Sequence, residues 1–246
     1  MQTRDLVWDG CLNVRDLGGL ATEDGAETRF GSVIRADSLG LLSRDGWEAL
    51  VGSGVTRIVD LREQFEIDTD PPRELDVEVV HVPILDRFDE EAWAEIQERS
   101  DRASSHAAAT EMVYLRFLEH SRPRFVEAVA AVAEAPGAVV FHCHGGKDRT
   151  GLLAAILLRL AGVPIEAIAE DYAVSGIRLE PRHREWIASA EDEAERARIE
   201  RITATPHDAM EAVLEAMEER YGGVEPYLLD GGLPEELLAA ARARLR

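Results

Sequence analysis

The chain has 246 residues, 46% of them hydrophobic and 30% charged, which fits one sizeable globular domain spanning 1–246 and excludes a disordered polymer. Its formal net charge of −21 excludes nucleic acid as the main partner, because phosphate backbones are bound by Lys and Arg. For the same reason any anion site has to be a local positive concavity, not a product of the global field. Two cysteines, Cys11 and Cys143, make no disulfide framework. Cys11 reads as a small buried filler. The N-terminus carries no apolar stretch of signal-peptide length, and the longest strongly apolar run, 152–158, is too short for a membrane span. A reduced, cytoplasmic protein without an integral membrane segment is expected, with export without a signal peptide left open.

In chain order, β-branched runs predict strands at 32–35, 55–61, 77–83 and 138–142. Ser43 predicts the N-cap of a helix through Leu50 and Val51, closed by Gly52 and Gly54. Helical patterns cover 90–99, 111–120 and 124–134, the last closed by Pro136-Gly137. The apolar segment 152–161 reads as a buried helix stopped by Gly162. Pro164 opens a helix to about Ser175, with Gly176 as its stop. The Glu- and Arg-rich stretch 179–202 is helical in pattern. Thr205 caps a further helix, with Pro206 and Asp208 in its first turn, that ends at Tyr221 before Gly222-Gly223. The expected fold class is α/β: a mostly parallel central sheet with helices on both faces and a helical C-terminal part. Open parallel sheets bind ligands beyond the carboxyl ends of their strands. That rule gathers Asp60, Asp86 and Cys143 on one edge.

The chemistry concentrates in His142-Cys143-His144-Gly145-Gly146-Lys147-Asp148-Arg149-Thr150-Gly151, between a buried strand and an apolar helix. Gly145 and Gly146 let the loop curl with its N–H groups inward, and the helix adds its positive N-terminal end. The product is a cup of donors sized for a tetrahedral oxyanion. A free thiol ionises near about 8.5, and helix N-termini and cations bring such thiols to roughly 3.5–7.5. The geometry that holds phosphate therefore also generates a sulfur nucleophile. Arg149, six residues after Cys143, offers a planar fork to two phosphoryl oxygens. Thr150 can donate a hydrogen bond to the departing thiolate. The spacing Cys-x5-Arg alone is weak; framed by the strand, His142, the glycines and Thr150-Gly151 it is strong.

The loop resembles the signature of the atypical bacterial and fungal tyrosine/serine phosphatases, the group related to a secreted mycobacterial tyrosine and lipid phosphatase. Asn13-Val14-Arg15-Asp16-Leu17-Gly18-Gly19, Arg35-Ala36-Asp37-Ser38-Leu39, Val59-Asp60-Leu61-Arg62-Glu63, Asp171-Tyr172 and Tyr221-Gly222-Gly223-Val224-Glu225-Pro226-Tyr227 extend the resemblance over nearly the whole chain in order. It implies hydrolysis of phosphate monoesters (phosphotyrosine, phosphoserine/threonine or phosphoinositides) with a phosphorylated protein or a phosphoinositide as partner. It also implies a phosphate-accepting Lys147, Asp148 as general acid, and a helical lid inserted at about 177–204, for which a solvated helical hairpin is the bland alternative.

Cys143 would attack phosphorus and form a phosphocysteine that water hydrolyses. Arg149 and the N–H groups from His144 to Arg149 would hold the equatorial oxygens. His142 reads as a structural hydrogen-bonding residue behind the sulfur. For the acid, Asp148 competes with Asp86 and Asp60; Asp60 has the further reading of an ion-pair partner for Arg62. Arg15 and Asp16 either contact the loop or make a turn before Gly18-Gly19. His183 and His207 read as surface residues. Neither a metal nor another cofactor is expected, since His142, Cys143 and His144 lack ligand spacing. Two other functions stay open: a rhodanese-like sulfurtransferase and a non-catalytic phosphate-binding module. A nucleotide-binding loop does not, because Lys147 is followed by an aspartate and the glycine spacing is wrong.

Overall fold

The computed structural model describes residues 2–70, 77–86 and 88–246. The β-branched runs form β1 (Arg15–Asp16), β2 (Val33–Ala36), β3 (Val55–Asp60), β4 (Glu78–His81) and β5 (Ala138–His142), paired in the order β1-β2-β5-β3-β4. β2, β5, β3 and β4 are parallel, and β1 lies antiparallel on the β2 edge. The mostly parallel sheet expected from the sequence is therefore present. In β5, Val139 and Phe141 enter the larger core while Ala138 and Val140 enter the smaller one. That is the period-2 alternation of a strand buried on both faces. Ala36 and Asp60 are both in register with His142. The chain after β5 thus leaves the sheet between the ends of its two neighbours.

The helices are α1 (Arg44–Gly52), α2 (Gln64–Thr69), α3 (Glu90–Asp101), α4 (His106–His120), α5 (Arg122–Ala133), α6 (Arg149–Leu160), α7 (Ile165–Ala188), α8 (Glu193–Thr203), α9 (His207–Tyr221), α10 (Val224–Asp230) and α11 (Glu235–Arg244). Ser43 caps α1 as expected: its Oγ accepts from the Gly46 N–H at 3.2 Å. With Trp8, Leu39 and Leu42, α1 covers the smaller face. α5 and α6 cover the larger one, where α6 is buried from Thr150 through Leu158, the signature of a helix apolar on all sides.

Two helix boundaries depart from expectation. α7 does not stop at Ser175; it continues through Gly176 and Pro181 to Ala188. A Cβ on Gly176 would lie 2.3 Å from Thr205 Oγ1, so this glycine serves a close approach between segments, not a helix stop. Pro181 is exposed, on a side where its missing backbone bond costs least. Thr205, occupied against Gly176, is not the cap of α9; Pro206 holds that position.

Candidate active site

Cys143 follows β5 directly and is only 2% exposed. From here the loop turns back to the first residue of α6, Arg149. The turn depends on Gly146, whose φ is +66°, and a Cβ there would sit 2.6 Å from the Ala36 carbonyl oxygen. Gly145 has no positive φ and faces open space, so the expectation that both glycines curl the loop is corrected to Gly146. Two loop carbonyls are turned outward and held there. The His144 carbonyl accepts from the Ser38 N–H at 3.0 Å. The Gly146 carbonyl accepts from Asn13 Nδ2 at 2.9 Å and Arg35 Nη2 at 2.8 Å. Among the described residues, the N–H groups from His144 to Asp148 have no acceptor. These free amides stand at the positive end of α6.

Arg149 is fixed end-on by a carboxylate that sequence reading missed. Its Nη1 and Nη2 donate to Glu66 Oε2 and Oε1 at 2.5 and 2.8 Å, and Glu63 lies 3.9 Å from Nη1. Burial pushes the Glu66 carboxyl up, but its bonds to Arg149 outweigh that and hold it below the ordinary range. The signal was present in the sequence: Glu63 and Glu66 stand three apart at the start of α2, and Glu66 Oε2 accepts from the Glu63 N–H at 2.8 Å. Nη1 also points to the Leu61 carbonyl at 3.4 Å. The side-on fork of Nε and Nη2 keeps its donors for another anion.

Asp148 sits half-buried beside this fork. Lys147 Nζ donates to its Oδ1 at 2.5 Å, and the buried Tyr114 hydroxyl donates to the same atom at 2.7 Å. Tyr114 lies 2.8 Å from the Tyr172 hydroxyl. With its own proton committed to Asp148, Tyr114 accepts there. Burial raises the Asp148 carboxyl, yet Lys147 and Tyr114 together bring it below its usual value. His183 is half-buried, not the free surface residue expected. Burial and then Lys147 push its imidazole down, so α7 brings it within electrostatic reach of the Lys147–Asp148 pair. His207 lies 3.5 Å from Glu211.

Behind the sulfur, His142 is fully enclosed. Its Nδ1 lies 3.2 Å from the Cys143 carbonyl and its Nε2 3.7 Å from Asp60. Burial, opposed by Asp60, keeps the imidazole pKa below its ordinary value and the ring neutral at pH 7. Asp60 grips Arg62 with both oxygens, at 2.7 to 3.1 Å, and Arg62 passes the link on to Asp70 at 2.9 Å. Asp86 is engaged by Arg124 Nε at 3.1 Å. The Thr150 hydroxyl is buried with no hydrogen-bond partner among the described residues. Asp16 makes a turn: its two oxygens accept from the Gly18 and Gly31 N–H groups at 2.7 Å. Cys11 is half-buried, with its Sγ 3.3 Å from the Ser38 carbonyl, and burial followed by Asp37 pushes its thiol up.

A cavity of about 380 Å³ opens beside Lys147, Asp148 and Arg149. Its walls are largely apolar: Trp93 and Ile96 of α3, Val113, Tyr114 and Phe117 of α4, and Ile202 of α8. Arg198 and Arg201 stand on the α8 side, and Arg201 is tied to Asp101 of α3 at 2.5 Å. Among the described residues no group of three or more His, Cys, Asp or Glu could hold a metal ion, and no helix is long and apolar enough to cross a membrane.

A parallel sheet that ends in a cysteine, an outward-pinned loop and an arginine at a helix start defines the phosphatases of the tyrosine type. Residues 6–246 match the Tyrosine phosphatase family, and the chain belongs to it. It is 32% identical over 226 residues to the tyrosine-protein phosphatase of Nostoc commune, covering 86% of this chain and 73% of that one. It is 26% identical over 280 residues to the triple specificity protein phosphatase PtpB of Mycobacterium tuberculosis, covering 100% of this chain and 99% of the relative. The crystal structure of P. aeruginosa TpbA superposes loosely, with a TM-score of 0.35 and 20% identity over 69% of this chain and 87% of that one. The enzyme is a protein-tyrosine-phosphatase-like phosphoric monoester hydrolase.

Proposed function

We propose that the enzyme is cysteine-dependent and cleaves aryl phosphate esters, phosphotyrosine first among them, through a phosphocysteine. The observation that carries this is the loop itself: Cys143 faces a turn whose carbonyls are pinned outward and whose amides are unclaimed, with the free fork of Arg149 at its end. Sγ attacks phosphorus, the bond from phosphorus to the ester oxygen breaks, and the leaving oxygen takes a proton. The amides and Arg149 hold the three equatorial oxygens throughout. Water then attacks the phosphocysteine and returns a proton to the acid that donated one, the P–S bond breaks, and inorganic phosphate and the thiolate are released. The Thr150 hydroxyl, unpartnered among the described residues, then donates to that thiolate.

Asp148 is the acid. Asp60 and Asp86 are each engaged by an arginine, whereas Asp148 borders the cavity that receives the leaving group. In the free enzyme Lys147 and Tyr114 hold its carboxyl down. A phosphate dianion in the cup competes for Lys147. Asp148 then keeps its burial while losing the cation, which favours the protonated acid. The apolar walls suit an aromatic leaving group, and 380 Å³ falls in the usual range for a ligand pocket. Phosphoserine, phosphothreonine and phosphoinositides remain secondary substrates, in line with the triple specificity in the mycobacterial relative's name. Segment 177–204, through α8, serves as a lid over this cavity. Both cysteines are unpaired, and a reducing compartment such as the cytoplasm keeps Cys143 reactive.

The Cys143→Ser protein tests the reading. Turnover of an aryl phosphate is expected to vanish while binding of the same ester survives. Turnover at the wild-type rate would overturn the mechanism.

A further inference from the structure

A cluster of deeply buried charges lies behind the loop. Arg15, Arg35 and Asp171 are 1%, 0% and 3% exposed, brought together from β1, β2 and α7. Asp171 accepts from Arg15 Nε at 2.9 Å, Arg35 Nη1 at 3.1 Å and Arg4 Nη2 at 2.5 Å. The remaining partners are neutral: Asn13 Oδ1 at 2.6 Å and Ser175 Oγ at 3.1 Å for Arg15, and the Gly146 carbonyl at 2.8 Å for Arg35. Arg35 Nε has no hydrogen-bond partner among the described residues. Three guanidinium groups share one carboxylate, so the cluster keeps an uncompensated positive charge. Burying such a group costs more than burying apolar side chains of the same volume, and a purely architectural role does not require it.

The other charges around the sulfur stand in ion pairs whose surplus is acidic, with Glu63 also 3.9 Å from Arg149 and Asp70 also 2.9 Å from Arg62. Within the loop, Lys147 meets Asp148; Arg149 meets Glu66 of α2. At the end of β3, Asp60 meets Arg62, and beyond β2, Asp37 meets Arg182 of α7. His142 and His183 are held toward their neutral forms. The Arg35 guanidinium is within electrostatic reach of Cys143; burial and Arg15 lower it to about 9, which leaves it cationic at neutral pH.

We propose that Arg35 is a positioning residue for the reaction: it keeps the Gly146 carbonyl turned out of the cup, and its uncompensated charge favours the ionised Cys143 sulfur from behind the loop. The inference rests on the reading of Cys143 as nucleophile. It assigns a purpose to Arg15 and Asp171 within the Asn13-Val14-Arg15-Asp16 and Asp171-Tyr172 motifs.

The test follows the rate at which iodoacetamide alkylates Cys143 at pH 6, located by peptide mass, alongside kcat/KM and the melting temperature. In Arg35→Met, alkylation is expected to slow about tenfold, the size of effect one close charge has on an ionisation, and kcat/KM to fall further still. In Arg35→Lys the charge remains, so alkylation stays near the wild-type rate. kcat/KM still falls about tenfold, because a point charge cannot hold Gly146 and Asp171 together. A folded Arg35→Met protein with an unchanged alkylation rate would overturn the proposal. Should that variant not fold, Arg4→Gln removes one charge from the solvent side, where the Arg4 side chain is 23% exposed. It is expected to slow alkylation about twofold, and no change would count against the cluster. If wild-type Cys143 reacts no faster than a free thiol, the nucleophile assignment itself fails, which separates that failure from one confined to Arg35.

Discussion

At the scale of single residues the site works by dividing the donors of each cation. Arg149 gives its end-on pair to Glu66, and in the proposed mechanism its side-on pair holds substrate, a division lysine could not make. Gly146 gives its carbonyl to Asn13 and Arg35 and leaves its amide facing the cup. Asp148 is balanced between burial, which raises its carboxyl, and Lys147 with Tyr114, which lower it. That balance sets a sign. Tyr114→Phe removes a donor to the carboxylate, so the Asp148 carboxyl rises and stays protonated to higher pH. The basic limb of kcat/KM is expected to move upward in a pH–rate profile, with a modest fall in the maximum. A limb that stays in place or moves downward would remove Asp148 from the acid role.

At the scale of elements, the strands and the loop were legible because each is a local pattern. β-branched runs marked β3 and β5 within a residue of their observed ends, and the glycine-flanked cysteine marked the turn. α7 was misread because Gly176 has two physical uses, helix stop and close approach, and only the position of Thr205 shows which applies. α2 was missed because its cap is made by glutamates, Glu63 and Glu66, where Ser, Thr, Asp or Asn is the usual cue. The cavity was beyond local reading, since its walls come from α3, α4 and α8. Its apolar character gives a further expectation. Ile202 is 41% exposed, so Ile202→Asp should leave the melting temperature nearly unchanged. The KM for an aryl phosphate should rise about tenfold, with kcat close to wild type, because the lost contact is shared by ground and transition states. Equal KM values for both proteins would place the leaving group elsewhere.

At the scale of the whole molecule, in a chain of net charge −21 the proposed anion site lies at one sheet edge, where the loop after β5 carries Lys147 and Arg149. The parallel order of β5 and β3 brings Cys143 and Asp60 to that edge, as strand polarity alone predicted, and Asp37, which follows β2, joins them there. The Arg15–Arg35–Asp171 cluster could not be read the same way, because its members lie up to 156 positions apart and meet only after α7 has packed. The whole account turns on one covalent event, which acid quenching during turnover of an aryl phosphate, followed by peptide mass mapping, observes directly. Phosphate bound to Cys143 Sγ is the expected result, accumulating further in the Asp148→Asn protein with an activated leaving group. Turnover with no phosphate on Cys143 in either protein, or with phosphate on His142, would contradict it.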